Sequence, residues 1–570
     1  MVQETEEGHS LNRVELPIEL SNPGQKKFNL FLASSSGILL GLAFPPSPLY
    51  TLAYVAFIPF FILMERMKSY AQLFRYSYLF LFLFHLMTVY WTGGWTHGRD
   101  VWLMTANVAL LVAHPLFYMP SILLSFFVRR RLGLRSGLAS FVFLWVAYEY
   151  SHSLGELSFP WMTIGNSQAY DLFRSQVVEF TSTYGLSFLL LSFNALAFFL
   201  FFKFSSDQWL LRSWRAILTI GFLVLIYIVP LVYGSVVKAS QNQVMSSNLV
   251  KIGLLQPNFD PWEKWGEGFE SKWDSYQLQL RTYLRETKGL SGFNPDLIVW
   301  PETAIPFPIL ATRFAKELPA LYRIIDSLGI PVFAGLHHLE YLDSANASVT
   351  SQRVSIGLFV ESFNSAVLVE PGYRMSPVYK KMVLVPFAER IPYASTFRFL
   401  IEPLKWNVGI SSWGKGRDML VYSVRTRAGK ETKFSGMICY ESVFPNFVRE
   451  FVRRGAEFLV VITNDSWWGN TSGTYQHAAY ASFRAIENRR WVVQCANGGI
   501  SEFVDPFGTV YASTRMFTSE QLVSHIEARQ ELTFYATHGD VFAQVCLFCS
   551  LVFVILALIK TMRTMRSHGT

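Results

Sequence analysis

The sequence has few cysteines and few charged residues for its length. Only 4 of its 570 residues are Cys, too few for a scaffold held together by disulfides. Charged residues make up 16% of the chain, against roughly 25% in average soluble proteins. The chain also lacks internal repeats and low-complexity tracts. These shortages argue against a disulfide-rich, disordered, collagen-like or wholly soluble protein.

Apolar and aromatic residues are abundant instead. Hydrophobic residues reach 51% of the chain, which contains 50 Phe, 26 Tyr and 16 Trp. The net charge is +8, but the basic residues lie between apolar runs rather than together on one soluble face. A nucleic-acid partner would require such a basic face. We therefore expect no nucleic-acid partner and predict a membrane protein.

Eight apolar runs are candidates for membrane spans. A hydrocarbon core about 30 Å thick requires about 20 apolar residues in a helix. We predict a membrane domain over 28–235 and a last span at 541–559. The run at 50–65 is short enough to be re-entrant, and Glu149 weakens the run at 137–154. The seven runs of the membrane domain are 28–44, 50–65, 76–96, 102–128, 137–154, 184–202 and 216–235.

The Lys and Arg residues that flank these runs predict the orientation. On one side of the array 16 of them occupy alternate loops and both chain ends, whereas the other loops hold only Arg99 and Arg174. Since basic loops stay in the cytoplasm, we expect segments 1–27 and 560–570 to be cytoplasmic and the region between the seventh and last spans to lie outside. A miscount of one short span would reverse this orientation. No cleavable signal peptide is expected, because residues 1–27 are polar.

A different pattern extends from 246 to 532. Short runs rich in Val and Ile recur between loops marked by Gly and Pro, and helical patterns lie between several of them. Strands that alternate with helices are typical of an α/β layered domain. The strand runs lie at 248–256, 295–302, 330–338, 364–372, 436–442, 457–465 and 490–499, and the helical patterns at 268–288, 312–328 and 475–489.

Ionisable residues stand beside three of the apolar runs in this segment. Glu302 follows one predicted strand and Cys439 ends another, while Lys380 and Lys381 precede an apolar run that leads to Glu389. Ligand sites in open α/β sheets gather beyond the carboxyl ends of strands. We therefore consider these residues candidates for a common site.

Glutamate, lysine and cysteine together are suited to covalent catalysis. A thiol is only a few per cent thiolate at neutral pH. A carboxylate can take the thiol proton, and an ammonium can stabilise an oxyanion, so the product would be a thioester or a related acyl-enzyme. Each residue taken singly is also compatible with a structural role. Cys495 is the rival nucleophile, but it lacks an adjoining acidic motif and is expected to be structural.

Four motifs in this order resemble a known superfamily. WPETA (300–304), Y-x-K-x-x-LVPF-x-E (379–389), CYE (439–441) and NDSWWG (464–469) are similar to motifs of the nitrilase-type carbon–nitrogen hydrolases. With seven spans before this domain and one after it, nearly the whole chain resembles the bacterial apolipoprotein N-acyltransferases of that superfamily. The resemblance implies a polytopic α-helical membrane domain joined to an α/β, nitrilase-like αββα sandwich.

The resemblance also implies a Glu–Lys–Cys triad. Matched by motif, Glu302 is the general base, Lys381 the oxyanion-stabilising cation and Cys439 the nucleophile. The family pattern places its lysine two residues after a tyrosine, which selects Lys381. In a strand, the neighbouring Lys380 would face the opposite way. The resemblance adds three supporting residues and one substrate-binding residue, which are Glu389, Tyr440, Glu441 and Trp265.

The resemblance implies acyl transfer in two steps. An acyl chain would pass from a phospholipid to Cys439 as a thioester, and then to the α-amino group of the N-terminal diacylglyceryl-cysteine of an apolipoprotein, the last step of lipoprotein maturation. The enzyme would lie in the bacterial inner membrane, with its catalytic domain in the periplasm. We expect no cofactor, and no metal because the histidines lack partners at ligand spacing.

Two other functions remain open. The first is a membrane-bound nitrilase-type amidase that hydrolyses a small amide, since it would use the same catalytic residues. The second is a transporter or receptor with an inactive ectodomain. The small number of charges inside the spans argues against a transport path, with Glu149 as the exception.

Overall fold

A computed structural model describes residues 23–94, 101–206, 214–240, 248–264, 273–314, 316–396 and 413–568. Its first part is a bundle of helices, and its second part contains two β-sheets. The helices of the first part are α1 (Pro23–Leu42), α2 (Ile58–Arg66), α3 (Tyr70–Val89), α4 (Val101–Ala113), α5 (Pro115–Leu132), α6 (Leu134–His152), α7 (Val178–Ser206) and α8 (Trp214–Ser240).

Several of these helices could cross a membrane. Within the described ranges, five helical stretches are long and apolar enough, namely Tyr70–Gly93, Leu103–Leu132, Arg174–Phe202, Trp214–Ser240 and Val541–Ser567. The run at 50–65 forms a 3-10 turn and the nine-residue α2, which at 1.5 Å per residue extends about 14 Å, less than half the hydrocarbon thickness. The run at 102–128 contains α4 and α5. The count of eight spans stays a prediction.

The second part begins at β1 and ends with a long apolar helix. All seven runs in which we predicted a strand overlap one, because buried Val and Ile favour extended backbone, although three of the strands, Val332–Asp343, Leu358–Glu370 and Glu431–Ile438, extend beyond the predicted bounds. In chain order its elements are β1 (Leu249–Gln256), α9 (Pro261–Lys264), α10 (Trp273–Ser291), β2 (Leu297–Val299), α11 (Leu318–Leu328), β3 (Val332–Asp343), β4 (Gln352–Ser355), β5 (Leu358–Glu370), β6 (Arg374–Met375), β7 (Tyr379–Lys380), β8 (Tyr422–Arg425), β9 (Glu431–Ile438), α12 (Pro445–Arg453), β10 (Phe458–Thr463), α13 (Ser472–Asn488), β11 (Val492–Ala496), β12 (Glu502–Val504), β13 (Val510–Ser513), β14 (Glu520–Glu527), α14 (Phe534–His538) and α15 (Val541–His568).

The two sheets pack face to face between helices. One sheet has the order β14-β1-β2-β3-β5-β4, with β6 and β7 on β5, and the other has the order β13-β12-β11-β10-β9-β8. Buried residues such as Phe333 and Phe434 join the two sheets in one core, their rings 5.3 Å apart. Helices α10 and α11 cover the first sheet, and α12 and α13 cover the second. This arrangement confirms the predicted α/β sandwich.

A glutamine of α13 joins the sandwich to the helical part. The side-chain oxygen of Gln476 accepts hydrogen bonds from the indoles of Trp91 (3.1 Å) and Trp161 (2.7 Å), while its nitrogen donates to the carbonyls of Pro45 (3.0 Å) and Thr88 (3.1 Å). All four partners belong to the helical part, and Gln476 is buried. The α/β domain is therefore anchored to the helices by a fully paired polar group.

Candidate active site

The predicted triad residues follow the ends of three different strands. Glu302 comes three residues after β2, Lys381 directly after β7, and Cys439 directly after β9. Strands β1, β2 and β3 are parallel in one sheet, and β9, β10 and β11 are parallel in the other. The carboxyl ends of β2 and β9 thus contribute Glu302 and Cys439 to one site between the sheets. All three side chains are buried.

Lys381 lies between two carboxylates. Its Nζ is 2.8 Å from Oε1 of Glu389 and 3.5 Å from Oε1 of Glu302. Burial alone would lower the pKa of Lys381, but the two carboxylates outweigh it and raise the pKa above its usual value. The Lys381 ammonium is therefore a fixed positive charge.

Asn364 orients the same carboxylates. Its side-chain nitrogen donates to Oε1 of Glu302 at 2.7 Å and to Oε1 of Glu389 at 3.3 Å. Its backbone carbonyl accepts a hydrogen bond from the backbone N–H of Lys381 at 2.8 Å. Asn364 lies on β5, beside β7. Our sequence analysis missed this residue, although it is the first residue of the predicted strand run at 364–372.

The neighbouring Lys380 points away from this group. Its Nζ pairs with Glu340 at 2.8 Å and lies over the ring of Phe363, on the partly exposed side of the sheet. Lys380 ends β7 and Lys381 follows it directly, and the two side chains point to opposite sides, as expected where the alternation of a strand continues. Of the two, only Lys381 can reach Glu302.

The sulfur of Cys439 is held at a strained turn. Cys439 has φ 52°, a left-handed conformation that is costly for a residue with a side chain, and it begins a short 3-10 helix. Burial raises the pKa of its thiol, and the Glu302 carboxylate raises it further, while Lys381 lowers it. The same burial raises the pKa of Glu302, with Lys381 again opposing. In the resting site the Cys439 thiol therefore keeps its proton, and a negative charge that develops on the sulfur depends on Lys381 for stabilisation.

Cys495 occupies a different environment. It is fully buried on β11, and its thiol donates to the backbone oxygens of Leu255 (3.4 Å) and Val299 (3.3 Å) between the sheets. Burial raises its pKa to about 12. No ion pair of Cys495 with a lysine occurs within the described ranges, and its position fits the structural role expected for it.

Glu441 connects the Cys439 turn to the segment that follows Lys381. Its carboxylate accepts hydrogen bonds from the hydroxyl of Tyr379 (2.8 Å) and from the backbone N–H groups of Ile438 (2.8 Å), Met382 (2.6 Å) and Val383 (3.1 Å). Burial raises the pKa of Glu441 to about 7, against the opposing effect of these donors. Glu441 thus joins these two segments through buried hydrogen bonds.

Tyr440 faces the helical part instead of the triad. Its hydroxyl donates to the backbone oxygen of Ser158 at 2.8 Å, and its ring is stacked 6.5 Å from that of Trp161. Both partners precede α7. The residue after the candidate nucleophile is therefore part of the interface with the helices.

Lys264 is a second residue that our sequence analysis missed. It is 1% exposed, and its Nζ donates to the backbone oxygen of Glu302 at 3.4 Å. Burial lowers its pKa to about 7, while the Glu302 carboxylate acts in the opposite direction. The available signal was a lysine between two tryptophans in the sequence QPNFDPWEKWGEG at 256–268. Trp265, the predicted substrate-binding residue, lies outside the described residues.

A cavity of about 320 Å³ lies beside the Cys439 turn. It is lined by Met382, Leu384 and Phe447 of the α/β domain and by Leu154 and Ser158 of the helical part. Apolar residues and four charged ones (Glu156, Arg390, Lys415 and Glu450) line it, and its wall includes Met382, which follows Lys381 and donates its backbone N–H to Glu441. Among the described residues, no three His, Cys, Asp or Glu side chains are grouped as ligands for a metal ion.

Comparison with known proteins gives matches along most of the chain. The family described as apolipoprotein N-acyltransferase N-terminal domain matches residues 36–196, and the carbon-nitrogen hydrolase family matches residues 258–531. A protein of Chlorobaculum tepidum named apolipoprotein N-acyltransferase is 33% identical over 93% of this chain and 96% of its own. One of Geobacter metallireducens with the same name is 29% identical over 92% and 94%. Among solved structures, an amidase from Nesterenkonia sp. has a TM-score of 0.35 and 15% identity, covering 53% of this chain and 98% of its own.

Proposed function

Because the chain belongs to the apolipoprotein N-acyltransferase family, as its motifs suggested, we propose that it transfers an acyl chain from a phospholipid to the N-terminal diacylglyceryl-cysteine of apolipoproteins. The observation that carries this proposal is the position of Cys439. The Glu302 carboxylate and the buried Lys381 ammonium act on the thiol, and Tyr440, the next residue, donates to the backbone of Ser158 in the segment between α6 and α7. This is where an acyl-enzyme could form from a lipid.

In the first step, Glu302 takes the thiol proton of Cys439 and the sulfur attacks an ester carbonyl of the phospholipid. The carbonyl oxygen becomes a tetrahedral oxyanion, which the Lys381 ammonium stabilises. When the intermediate collapses, the carbon–oxygen bond to glycerol breaks. The alkoxide leaves with the proton from Glu302 as the hydroxyl of a lysophospholipid, and a thioester remains on Cys439.

In the second step, the neutral α-amino group of the acceptor attacks the thioester carbonyl. Lys381 again stabilises the oxyanion, and Glu302 accepts the proton that the nitrogen loses. Collapse breaks the carbon–sulfur bond, and Glu302 returns the proton to the sulfur. The products are an N-acylated lipoprotein and the free thiol, so no group of the enzyme is consumed.

Glu389 supports both steps by keeping Lys381 in place. Lys381 could pair with either carboxylate, but the shorter contact is the one to Glu389. Glu302 is thereby left free to exchange protons with the sulfur. Glu389 thus holds the Lys381 ammonium while Glu302 transfers protons, which explains why two glutamates lie beside Lys381.

The substrates agree with a membrane location. Both are insoluble lipids, and confinement of the enzyme and its substrates to one bilayer raises their effective concentration. We place the α/β domain on the periplasmic face of the bacterial inner membrane, because the basic loops lie on the opposite side of the spans. Hydrolysis of a small amide would require neither the helical part nor the cavity against it, and so is not favoured; an inactive ectodomain is not favoured because it would not need the buried Lys381 and Glu302 pair.

The test is mass spectrometry of the purified enzyme incubated with phosphatidylethanolamine in detergent. We expect an acyl adduct on the peptide that contains Cys439, and its loss after addition of a diacylglyceryl peptide with a free α-amine. The same peptide with an acetylated amine should leave the adduct in place. An adduct on Cys495, or discharge by the acetylated peptide, would contradict the proposal.

A further inference from the structure

An open loop of four buried hydrogen bonds lies around the candidate nucleophile. Thr463 donates to Oδ1 of Asp465 at 2.6 Å, and Oδ1 of Asp465 lies 2.9 Å from Nδ1 of His477. Nε2 of His477 lies 2.8 Å from the hydroxyl of Ser442, which donates to the backbone oxygen of Cys439 at 2.8 Å. One end of this loop, Thr463, acts on the sulfur of Cys439. The other end, Ser442, binds the backbone carbonyl of the same residue.

The elements of this loop come from three parts of the sandwich. Thr463 is the last residue of β10, Asp465 begins the short turn that follows, and His477 lies on α13. Ser442 lies in the 3-10 turn that Cys439 begins. All four side chains are buried, so bulk water does not compete for these bonds and a lost partner would leave a polar group unpaired.

The first end of the loop acts on the sulfur. A hydrogen bond from the Thr463 side chain lowers the pKa of the Cys439 thiol, against the effect of burial. A threonine hydroxyl has a single proton, so it serves either Asp465 or the sulfur at one time. As negative charge develops on the sulfur, the hydroxyl can turn from Asp465 toward it, while His477 continues to hold Asp465.

The second end of the loop acts on the backbone. Cys439 has φ 52°, and such a conformation persists only where the surroundings enforce it. The bond from Ser442 to the carbonyl of Cys439 restrains the turn, and His477 restrains Ser442. The buried carboxylate of Asp465 is thus connected through Thr463 to the sulfur, and through His477 and Ser442 to the strained turn.

We propose that Thr463, Ser442, Asp465 and His477 are positioning residues that hold Cys439 ready for nucleophilic attack in both steps. The proposal rests on the proposed function in that Cys439 is the nucleophile. It does not depend on the identity of the lipid, because a positioned thiol also reacts with a small alkylating agent.

The test compares Thr463→Val with Thr463→Ser in the full-length enzyme. Valine keeps the volume of threonine but removes the hydroxyl, whereas serine keeps the hydroxyl and loses a methyl group. Because the hydrogen bond to the developing charge is lost, we expect T463V to slow alkylation of Cys439 by iodoacetamide about tenfold and T463S to stay within threefold of the wild type. Thioester formation with phosphatidylethanolamine should follow the same order, with kcat lowered and KM unchanged.

Cys495 provides the internal control. It is buried in the same domain, so its alkylation, read in the same mass spectrum, reports general loosening of the fold. Equal rates for the three enzymes would overturn the inference, and so would equal slowing by both variants, since that would be an effect of packing. Should T463V fail to fold, Ser442→Ala against Ser442→Thr gives the same comparison at the other end of the loop. If wild-type Cys439 alkylates as described but forms no thioester, the proposed function fails and this inference stands.

Discussion

The ammonium of Lys381 lies 2.8 Å from a carboxylate oxygen of Glu389, and both side chains are nearly inaccessible to solvent. A buried charge that loses its partner is destabilised by several kcal/mol. We therefore expect Glu389→Gln to let Lys381 move toward Glu302 and to lower thioester formation about 100-fold, the effect typical of a displaced oxyanion donor. The rate of adduct formation with phosphatidylethanolamine measures it.

The matched control is Glu340→Gln. Glu340 pairs with Lys380 at the same distance, 2.8 Å, but on the partly exposed side of the sheet. An exposed pair contributes little, so this variant should keep wild-type activity. Similar losses in the two variants would contradict the assignment of Lys381 over Lys380.

Glu441 should matter for stability as well as activity. Glu441→Gln replaces an acceptor oxygen by an NH2 group that faces backbone donors from Ile438, Met382 and Val383. We expect a loss of about 2–3 kcal/mol of unfolding free energy and a visible fall in Tm. Tyr379→Phe removes a single donor to the same carboxylate and should cost about 1 kcal/mol. Equal melting temperatures for wild type and E441Q would contradict this account.

Lys264 predicts a dependence of stability on pH. Burial lowers its pKa to about 7 from a usual value of 10.5. Below pH 7 the buried Lys264 is charged, which destabilises the folded state. Between pH 7 and 10.5 the folded state has released a proton that the unfolded state still binds, so stability recovers as the pH rises. Lys264→Met should therefore raise Tm above that of the wild type most at pH 6. The difference in unfolding free energy between the two proteins should shrink by up to about 5 kcal/mol toward pH 10.

The exposed Lys430 provides the control for this pH series. Lys430→Met should give a curve of Tm against pH that runs parallel to that of the wild type. A constant difference between Lys264→Met and the wild type from pH 6 to 10 would show that the Lys264 ammonium is not desolvated in the folded state.

Gln476 predicts strong coupling between the two parts of the molecule. Gln476→Leu leaves the indole of Trp161 and the carbonyls of Pro45 and Thr88 without this partner. We expect Tm to fall by several degrees and limited proteolysis to begin between the helices and the sandwich. Tyr475→Phe, which removes an exposed bond to Asn470, should leave both measurements unchanged.

The strands around the site could be predicted because each is a short buried run that ends in a polar residue. Glu302 and Cys439 were proposed as site residues in this way, and the motifs favoured Lys381 over Lys380. Asn364 could not be singled out, because an amide at the start of a strand has no chemical signature until the fold places Glu302 and Glu389 beside it. The contacts of Gln476 join residues about 300 to 430 positions apart, and no local pattern encodes them.

The apolar runs of the helical part coincide only partly with its helices. Hydropathy identifies apolar runs but does not show where a run breaks. The run at 50–65 divides into a 3-10 turn and α2, and the run at 102–128 contains two helices, of which α5 begins at Pro115, a residue that cannot donate to the preceding turn. The orientation in the membrane stays a prediction that labelling of engineered cysteines in the loops can check.

The bond from Tyr440 to Ser158 has a consequence for any attempt to make a soluble form of this enzyme. Tyr440, the residue after the candidate nucleophile, donates a hydroxyl hydrogen bond to Ser158 and stacks its ring on Trp161, both outside the sandwich. Severing the globular portion from its anchor would remove both of these partners of Tyr440, so an excised fragment should be a poor catalyst even toward a water-soluble thioester. We expect reactivity at this turn to depend on both halves of the molecule.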